Sequence, residues 1–294
     1  MSVPGDPSAP GQKDAVPNLG SAAVVATTIR ADRALAARGL ARSRSEAVAM
    51  IRSGGVLLNG HAVAKPSTPV SSRDELAVAD AGPRYVSRAA HKLLSALDAF
   101  GDVPVAGRRA LDAGACTGGF TQVLLERGAA RVAAVDVGHG QLHPALRDDD
   151  RVLVREGLNV RTIDLEDIDG SVDLIVSDLS FISLRLVVDA LARVAVHGAH
   201  VLLMVKPQFE VGRARLPRTG VVTDAGHRRD AVVGVLEAAA RVGLRPVAAA
   251  RSGLPGQDGN VEFFLYLQLT SSPSGSASAG DPRLWLDGQR IDWS

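Results

Sequence analysis

The sequence is poor in residues that cross-link a chain covalently or through metals. It has one cysteine, Cys116, which excludes a disulfide within the chain and a cysteine zinc cluster, and we expect no metal site. No apolar run approaches the roughly 18 residues needed to span a bilayer, so we expect no membrane insertion. The start, MSVPGDPSAPG, lacks the basic and apolar regions of a secretory signal, and we expect a cytoplasmic location.

An excess of charge of one sign is also missing. The net charge is +1, so overall composition does not indicate a nucleic-acid partner, and charge has to be compared segment by segment. Lysine is scarce among the 33 basic residues and occurs only at Lys13, Lys65, Lys92 and Lys206. Hydrophobic residues make up 46% of the chain, which predicts a packed globular fold.

Composition divides the chain into two folded units between two tails. Residues 1–26 and the stretch SSPSGSASAG are rich in Pro, Gly, Ser and Ala without periodicity, which is typical of disorder. We therefore predict disordered tails over 1–26 and 271–294, a small domain over 27–82, a linker over 83–86 and a larger domain over 87–270.

The small domain begins with a helical pattern and continues into strands. Apolar residues at helical spacing predict two short helices. Ser43 followed by Glu46 has the spacing of a capping box for the second helix, and Asn59-Gly60 predicts a hairpin. Residues 27–65 include seven basic and two acidic residues, which gives this segment a net charge of +5. Such a basic face suits phosphate contacts, although an ordinary solvated helical surface also explains it.

The larger domain alternates apolar strands with amphipathic helices, which indicates an α/β domain with a doubly wound, mostly parallel sheet. We predict seven strands, at 109–114, 131–137, 152–155, 172–178, 199–206, 245–251 and 261–269, and helices that include 184–195 and 225–242. The last strand follows a loop too short for a crossover helix and is therefore expected to be antiparallel. One reversed strand among seven is the usual Rossmann-like, class I methyltransferase architecture.

A glycine-rich turn, GACTGG, follows the first strand of this domain. Glycines there let the backbone approach a ligand, and Asp136, at the end of the next strand, can accept hydrogen bonds from ribose hydroxyls. A dinucleotide fingerprint would have a glycine at the position of Cys116 and would bind a pyrophosphate. S-adenosylmethionine has no phosphate, so the turn favours a methyl donor over a nicotinamide.

Four charged residues are expected at one edge of the sheet. Asp178 and Lys206 close two parallel strands, Glu262 opens the antiparallel strand, and Lys92 lies on the helix before the first strand. Ligands bind at the carboxyl ends of strands in open α/β sheets. The group indicates either an active site or a pair of structural salt bridges.

Seven motifs in order, VSRAAHKL, LDAGACTGGFT, DVGHGQL, SDLSFISL, VKPQFEVG, GVVTD and LPGQDGNVEFFL, resemble those of the TlyA (hemolysin A) family of FtsJ-like 2′-O-methyltransferases. The resemblance covers about residues 27–270 and implies an S4-type RNA-binding domain followed by a methyltransferase domain. It further implies 2′-O-methylation of cytidine in small- or large-subunit ribosomal RNA. This chain departs from the family at Cys116, where serine is common, and at Ala89-Ala90, where glycines are frequent.

The resemblance also implies a set of site residues. A Lys-Asp-Lys-Glu catalytic tetrad falls on Lys92, Asp178, Lys206 and Glu262. S-adenosylmethionine is expected to contact Asp112, Gly114, Ala115, Cys116, Thr117, Gly118, Gly119, Asp136, Val137, Asn159 and Asp178. Lys206 is expected to act as the base or to orient the hydroxyl, since arginine cannot replace lysine as a base.

Ribosomal RNA is the expected partner. The residues expected to contact it are Arg30, Arg33, Arg42, Arg44, Lys65 and Phe181. Phe181 either stacks on the target base or belongs to the core. Three other functions compete: a non-catalytic RNA-binding or ribosome-assembly factor, a membrane-lysing protein and a nicotinamide-dependent oxidoreductase. The first leaves the turn and the tetrad unexplained, and the last is disfavoured by the GACTGG turn.

Overall fold

The computed structural model describes residues 28–52, 54–78, 85–270 and 281–294, which form an N-terminal and a C-terminal unit. The predicted tail over 1–26 lies outside the described residues, as do 271–280 of the second tail and 83–84 of the predicted linker. No helix in the described ranges is long and apolar enough to cross a membrane.

The N-terminal unit packs two short helices against small antiparallel sheets. Its elements are β1 (Ile29–Arg30), α1 (Ala31–Ala37), α2 (Arg44–Arg52), β2 (Val56–Leu58), β3 (His61–Ala62), β4 (Pro69–Val70) and β5 (Leu76–Val78). Strand β1 pairs with β4, and β2 lies between β3 and β5. Leu35, Ile51 and Val56 are buried in one cluster. The predicted hairpin is present, with Asn59 and Gly60 at φ of 51° and 81°.

Only half of the predicted capping box forms at the start of α2. The N–H of Glu46 donates to Ser43 Oγ at 3.1 Å. The Glu46 carboxylate does not return to the N–H of Ser43, and instead accepts from the backbone N–H of Arg42 at 2.6 Å and from its guanidinium at 2.8 Å. The charged guanidinium is a stronger donor than a neutral N–H, which explains this choice.

The C-terminal unit is an α/β domain around one seven-stranded sheet. Its elements are α3 (Ala89–Phe100), β6 (Arg109–Ala113), α4 (Gly119–Glu126), β7 (Arg131–Asp136), α5 (Pro144–Arg147), β8 (Val152–Glu156), β9 (Val172–Ser177), α6 (Val188–Val194), β10 (Ala195–Val205), α7 (Pro207–Glu210), α8 (Ala225–Arg241), β11 (Leu244–Arg251) and β12 (Phe263–Leu269). The strand order is β11-β12-β10-β9-β6-β7-β8. Strand β12 is antiparallel to both neighbours and the other pairs are parallel, which confirms the predicted architecture.

Apolar side chains fill a core on each face of this sheet. Successive residues of a strand point to opposite faces, so Leu174 joins the core with α3 and α4 whereas Ile175 joins the core with α6 and α8. Phe263 and Phe264 are divided in the same way, and both are fully buried. With both faces covered, the edge at the carboxyl ends of the parallel strands is where polar side chains collect.

The helix predicted over 184–195 is wrong at both ends. A 3₁₀ turn (Leu184–Leu186) comes before α6, and β10 begins at Ala195 instead of residue 199. The register of β10 against β9 shifts between Ala195 and His200, and Gly198 lies there with φ of 81°. The apolar spacing of the segment suits either structure, and the pairing with β9 decides in favour of the strand.

The disordered tail predicted over 271–294 is wrong for its last part. From residue 281 the chain forms α9 (Pro282–Asp287) and returns to the domain, where the Trp293 ring lies 4.7 Å from that of Phe263. Buried Arg228 donates to the carbonyl of Trp293 at 2.7 Å. The apolar residues of this segment therefore have a docking face that the Ser- and Gly-rich composition before them does not suggest.

The packing of α9 predicts unequal effects for its two leucines. Leu286 is 1% exposed, and Leu286→Ala should lower the free energy of unfolding by about 2–5 kcal/mol, because apolar contacts are lost and a cavity remains. Leu284, 71% exposed on the same helix, is the matched control, and Leu284→Ala should stay within about 0.5 kcal/mol. Urea unfolding measures both; equally small effects would contradict the docking of α9.

Candidate active site

The turn between β6 and α4 requires glycine. Gly114 and Gly118 have φ of 92° and 95°, backbone angles that L-residues with a side chain rarely adopt. A Cβ on Gly114 would lie 2.9 Å from the carbonyl oxygen of Asp178, closer than such atoms approach. The turn therefore lies against the segment that follows β9, and a side chain at Gly114 would not fit there.

Asp136, the last residue of β7, holds this turn. Its Oδ2 accepts from the N–H of Cys116 at 2.9 Å, and its Oδ1 accepts from the N–H of Gly138 at 2.7 Å. Cys116 has φ of 47°, which is uncommon outside glycine, and the bond from Asp136 stabilises it there. Because Asp136 remains partly exposed, it is also accessible to a ligand.

The other residues expected around the cofactor differ in exposure. Ala115 is buried in the turn, Thr117 is partly exposed and Val137 is 69% exposed. Gly119 begins α4, packed against the start of α3. Asn159 is exposed, and its side chain accepts from the N–H of Arg161 at 3.0 Å, so it caps a 3₁₀ turn.

Asp112 lies below the turn and is fully buried. Thr121 Oγ1 donates to its Oδ2 at 2.7 Å, while its Oδ1 has no hydrogen-bond partner among the described residues. Burial raises the pKa of Asp112 to about 7, and the charges of Asp178 and Asp136 act in the same direction. Three carboxyl groups therefore surround the turn, an environment that favours a cationic ligand over a phosphate.

Lys92 and Glu262 form a buried ion pair across 170 residues of sequence. Lys92 Nζ donates to Glu262 Oε2 at 2.5 Å and lies 3.7 Å from Met204 Sδ. Removing either partner would leave an uncompensated buried charge, which is strongly unfavourable. The pair therefore joins α3 to the start of β12.

Lys206 forms a second pair on the neighbouring strands. Its Nζ lies 2.7 Å from Asp178 Oδ1, close but not aligned as a hydrogen bond, and donates to Ser180 Oγ at 2.7 Å. Sequence reasoning did not select Ser180, whose only signal is its place in the motif SDLSF. The hydrogen bond that Lys206 donates to Ser180 and the charge of Asp178 together hold the Lys206 ammonium.

The sheet register brings both pairs to one edge. On β10, Leu203 pairs with Ser177 of β9, and Val205 pairs with Phe263 of β12. Asp178, Lys206 and Glu262 each adjoin one of these paired residues. Because β12 is antiparallel, its first residue meets the last residue of β10, and the predicted charges lie together beside the glycine turn.

Phe181 is the exposed aromatic group of this edge. It is 92% exposed, which excludes the alternative that it belongs to the core. Its φ of 64° is a strained backbone conformation for a non-glycine residue, and such residues cluster at functional sites. Its ring centroid lies 5.3 Å from that of Phe209.

Three of the arginines expected to contact RNA carry ion pairs in the N-terminal unit. Arg30 and Arg44 both contact buried Asp32, at 3.0 and 2.9 Å, and Arg42 pairs with Glu46 at 2.8 Å. The hydrogen bonds of Arg30 and then Arg44 hold the pKa of Asp32 well below its usual range. These pairs fix the arginine side chains on the surface of α1 and α2.

Arg33 and Lys65 differ from these three. Both are exposed, and neither side chain has a hydrogen-bond or ion-pair partner within the described part of the chain. Their charges are therefore available to an anionic partner without breaking an existing contact.

The reversed strand, the glycine turn and the paired charges at one edge define a methyltransferase with a small additional domain. Residues 85–269 match the FtsJ-like methyltransferase family, and residues 29–76 match the S4 domain. The first match spans more than half of the chain, and the protein belongs to the FtsJ-like methyltransferase family.

Relatives extend over both units. The chain is 49% identical over 254 residues, 86% of its length and 94% of the relative's, to the 16S/23S rRNA (cytidine-2′-O)-methyltransferase TlyA of Mycobacterium tuberculosis. It is 34% identical to Hemolysin A of Brachyspira hyodysenteriae, over 81% of this chain and 99% of that one. A solved structure from Streptococcus thermophilus, described as a hemolysin, is 35% identical with a TM-score of 0.65, over 88% of this chain and 95% of that one.

Asp112 predicts a pH dependence of stability. The pKa of Asp112 in the folded protein, about 7, exceeds the unfolded value of 3.8. Its contribution to the free energy of unfolding is therefore fully present below about pH 3.8 and is lost as the pH rises through about 7. Asp112→Asn carries no charge, so its melting temperature should fall less than that of the unsubstituted protein between pH 5 and pH 8. Asp98→Asn, at an exposed carboxyl, is the control. Parallel pH profiles for all three proteins would contradict this assignment.

Proposed function

We propose that the protein transfers a methyl group from S-adenosylmethionine to the ribose 2′-hydroxyl of cytidine in 16S or 23S ribosomal RNA, or both. The observation that carries this proposal is the pair of lysine–carboxylate contacts, at 2.5 and 2.7 Å, on the sheet edge beside the glycine turn. The activity in the name of the 49% identical relative supports the choice of substrate. A ribosomal substrate also implies a cytoplasmic location.

The residues around the turn fit S-adenosylmethionine. This cofactor has no phosphate and carries positive charge on its sulfonium and ammonium groups. The carboxyl groups of Asp112 and Asp178 suit that charge, and Asp136 can accept hydrogen bonds from the ribose hydroxyls. When bound, the cofactor supplies a methyl group that the sulfonium has already activated.

Lys206 acts on the 2′-hydroxyl. An uncharged lysine Nζ has two N–H groups, which face Asp178 and Ser180, and one lone pair, which remains for the proton of the substrate hydroxyl. As an uncharged amine, Nζ accepts the hydroxyl proton, and Asp178 stabilises the resulting ammonium. Orientation of the reacting atoms supplies about 7–11 kcal/mol in favourable cases, and base catalysis adds about 10²–10⁴-fold. Lys92 and Glu262 supply fixed charge beside the substrate.

The two units divide the binding of RNA between them. Exposed Arg33 and Lys65 contact phosphates, which contributes affinity without reading sequence, together with Arg30, Arg42 and Arg44. Phe181 offers a flat apolar surface at the edge that carries Lys206, and the target base stacks on it. A non-catalytic RNA-binding factor would need the basic residues that contact phosphates, but it would not need Phe181 beside Lys206.

Lys206→Arg separates catalysis from a structural ion pair. Arginine keeps the charge but cannot serve as a base, so single-turnover methylation of ribosomal RNA should fall by orders of magnitude while RNA and cofactor still bind. If the lysine is only structural, arginine should preserve activity and Lys206→Ala should lower the melting temperature. A fully active Lys206→Arg protein would refute the catalytic role and leave the fold unaffected.

The combination Arg33→Gln with Lys65→Gln should weaken RNA binding and flatten its dependence on salt. The slope of log K against log salt is negative, and each lost phosphate contact reduces its magnitude by about 0.7–0.9. Arg131 and Arg245 are exposed, have no described side-chain partner and lie within the first two residues of strands, at the opposite edge of the sheet. Their Gln double variant is therefore the matched control. Filter binding at several salt concentrations compares the two; identical slopes would exclude Arg33 and Lys65 from the RNA interface.

A further inference from the structure

The loop 178–184, between β9 and the 3₁₀ turn, carries three groups of the site. Asp178 and Ser180 contact Lys206, and Phe181 presents its ring to solvent. Loops commonly carry functional residues that a rigid scaffold positions, and here the N–H of Asp178 donates to the carbonyl of Ala113 at 3.1 Å. The strained residue of the loop, Phe181, needs surroundings that hold it in place.

The short helix α7 and the residue before it contact this loop three times. Lys206 bonds Ser180, Phe209 lies against Phe181, and Glu210 bonds the end of the loop at Ser183 and Leu184. The contacts run in the same order along both segments. The loop is therefore fastened at its start by Lys206 and at its end by Glu210, with Phe181 between the two.

Glu210 makes the most extensive of these contacts. It is 5% exposed, and both carboxylate oxygens face the loop: Oε2 accepts from Ser183 Oγ at 2.5 Å, and Oε1 accepts from the N–H of Leu184 at 2.7 Å. Arg185 adds a bond from its guanidinium to the carbonyl of Glu210 at 2.9 Å. Burial raises the pKa of Glu210, so this position carries a desolvation penalty that a smaller apolar side chain would not.

We propose that Glu210 is a positioning residue for methyl transfer. By fastening the far end of the loop 178–184, it holds Phe181 and Ser180 where the substrate nucleotide meets Lys206. This inference rests on the proposed function, because it concerns the placement of the same nucleotide. Glu210 itself does not touch the reacting atoms and acts only through the loop.

Three variants of the full-length protein test this role. Glu210→Ala removes both acceptors. Glu210→Gln keeps an oxygen for the N–H of Leu184. Asp173→Ala is the matched control, since Asp173 also accepts a backbone N–H, that of Arg109 at 3.0 Å, but at the opposite edge of the sheet. For each we would measure the single-turnover rate with ribosomal RNA at saturation, cofactor affinity by calorimetry, melting temperature, and hydrogen exchange of the loop amides.

In Glu210→Ala the rate at saturating RNA should fall about tenfold to hundredfold, because small displacements of reacting groups have effects of that size. Cofactor affinity should change less than about twofold, and the loop amides should exchange faster. Glu210→Gln should restore the rate to within about threefold of the original, and Asp173→Ala should keep it even where the melting temperature falls.

An unchanged rate in Glu210→Ala, or equal losses in Glu210→Ala and Glu210→Gln, would overturn the inference. So would a loss in Asp173→Ala that matches the loss in Glu210→Ala, because the effect would then follow stability. If the unsubstituted protein methylates no ribosomal RNA, the proposed function fails. Hydrogen exchange then still decides whether Glu210 fastens the loop: unchanged exchange in Glu210→Ala would overturn it.

Discussion

Charges that leave water must be paired, and this requirement shapes the edge of the sheet where the parallel strands end. Lys92 is buried on α3, where the carboxylate of Glu262 compensates its charge at 2.5 Å. That carboxylate reaches the edge because β12 runs antiparallel and begins where β10 ends. A parallel last strand would place its first residue at the other edge. The reversed strand is thus a condition for the ion pair as well as a feature of the fold.

The glycine turn depends in the same way on the pairing of polar groups. Asp136 places both oxygens on backbone N–H groups and so stabilises the positive φ of Cys116. Asp112 is fully buried, and one of its oxygens has no hydrogen-bond partner in the part of the chain that the structure describes. Such a group is unfavourable in a fold that has no use for it. Its position below the turn suits the electrostatics of a cationic cofactor.

Ion pairs also limit what the N-terminal unit can offer to RNA. Asp32 is buried and holds Arg30 and Arg44, so these guanidinium groups are already oriented but partly neutralised. The side chain of Arg33 has no such ion pair with any residue that the structure describes. An interface of this kind combines fixed charges, which set orientation, with free charges, which contribute counterion release.

Several elements could be predicted from the sequence because they depend on local patterns. The glycine turn, the hairpin at Asn59-Gly60 and the helix over 225–242, observed as α8, have signals within a few residues. The predicted topology placed Lys92 and Glu262 at one edge, and the resemblance to a family assigned them to a tetrad, but no local pattern pairs them with each other. Two predictions needed correction, the bounds of the helix over 184–195 and the disorder of 281–294, and both segments have apolar residues whose partners lie far away in sequence.

By itself, the amino-acid sequence determined the order of strands and helices, the reversed last strand and the residue types at the strand ends, because periodicity and loop length act locally. Only the tertiary structure decided that Phe181 lies outside the core, that Ser180 bonds Lys206 and that Glu210 fastens the loop between them. Those outcomes depend on side chains 26 or more residues apart, whose meeting is set by the packing of strands and not by their spacing in the chain.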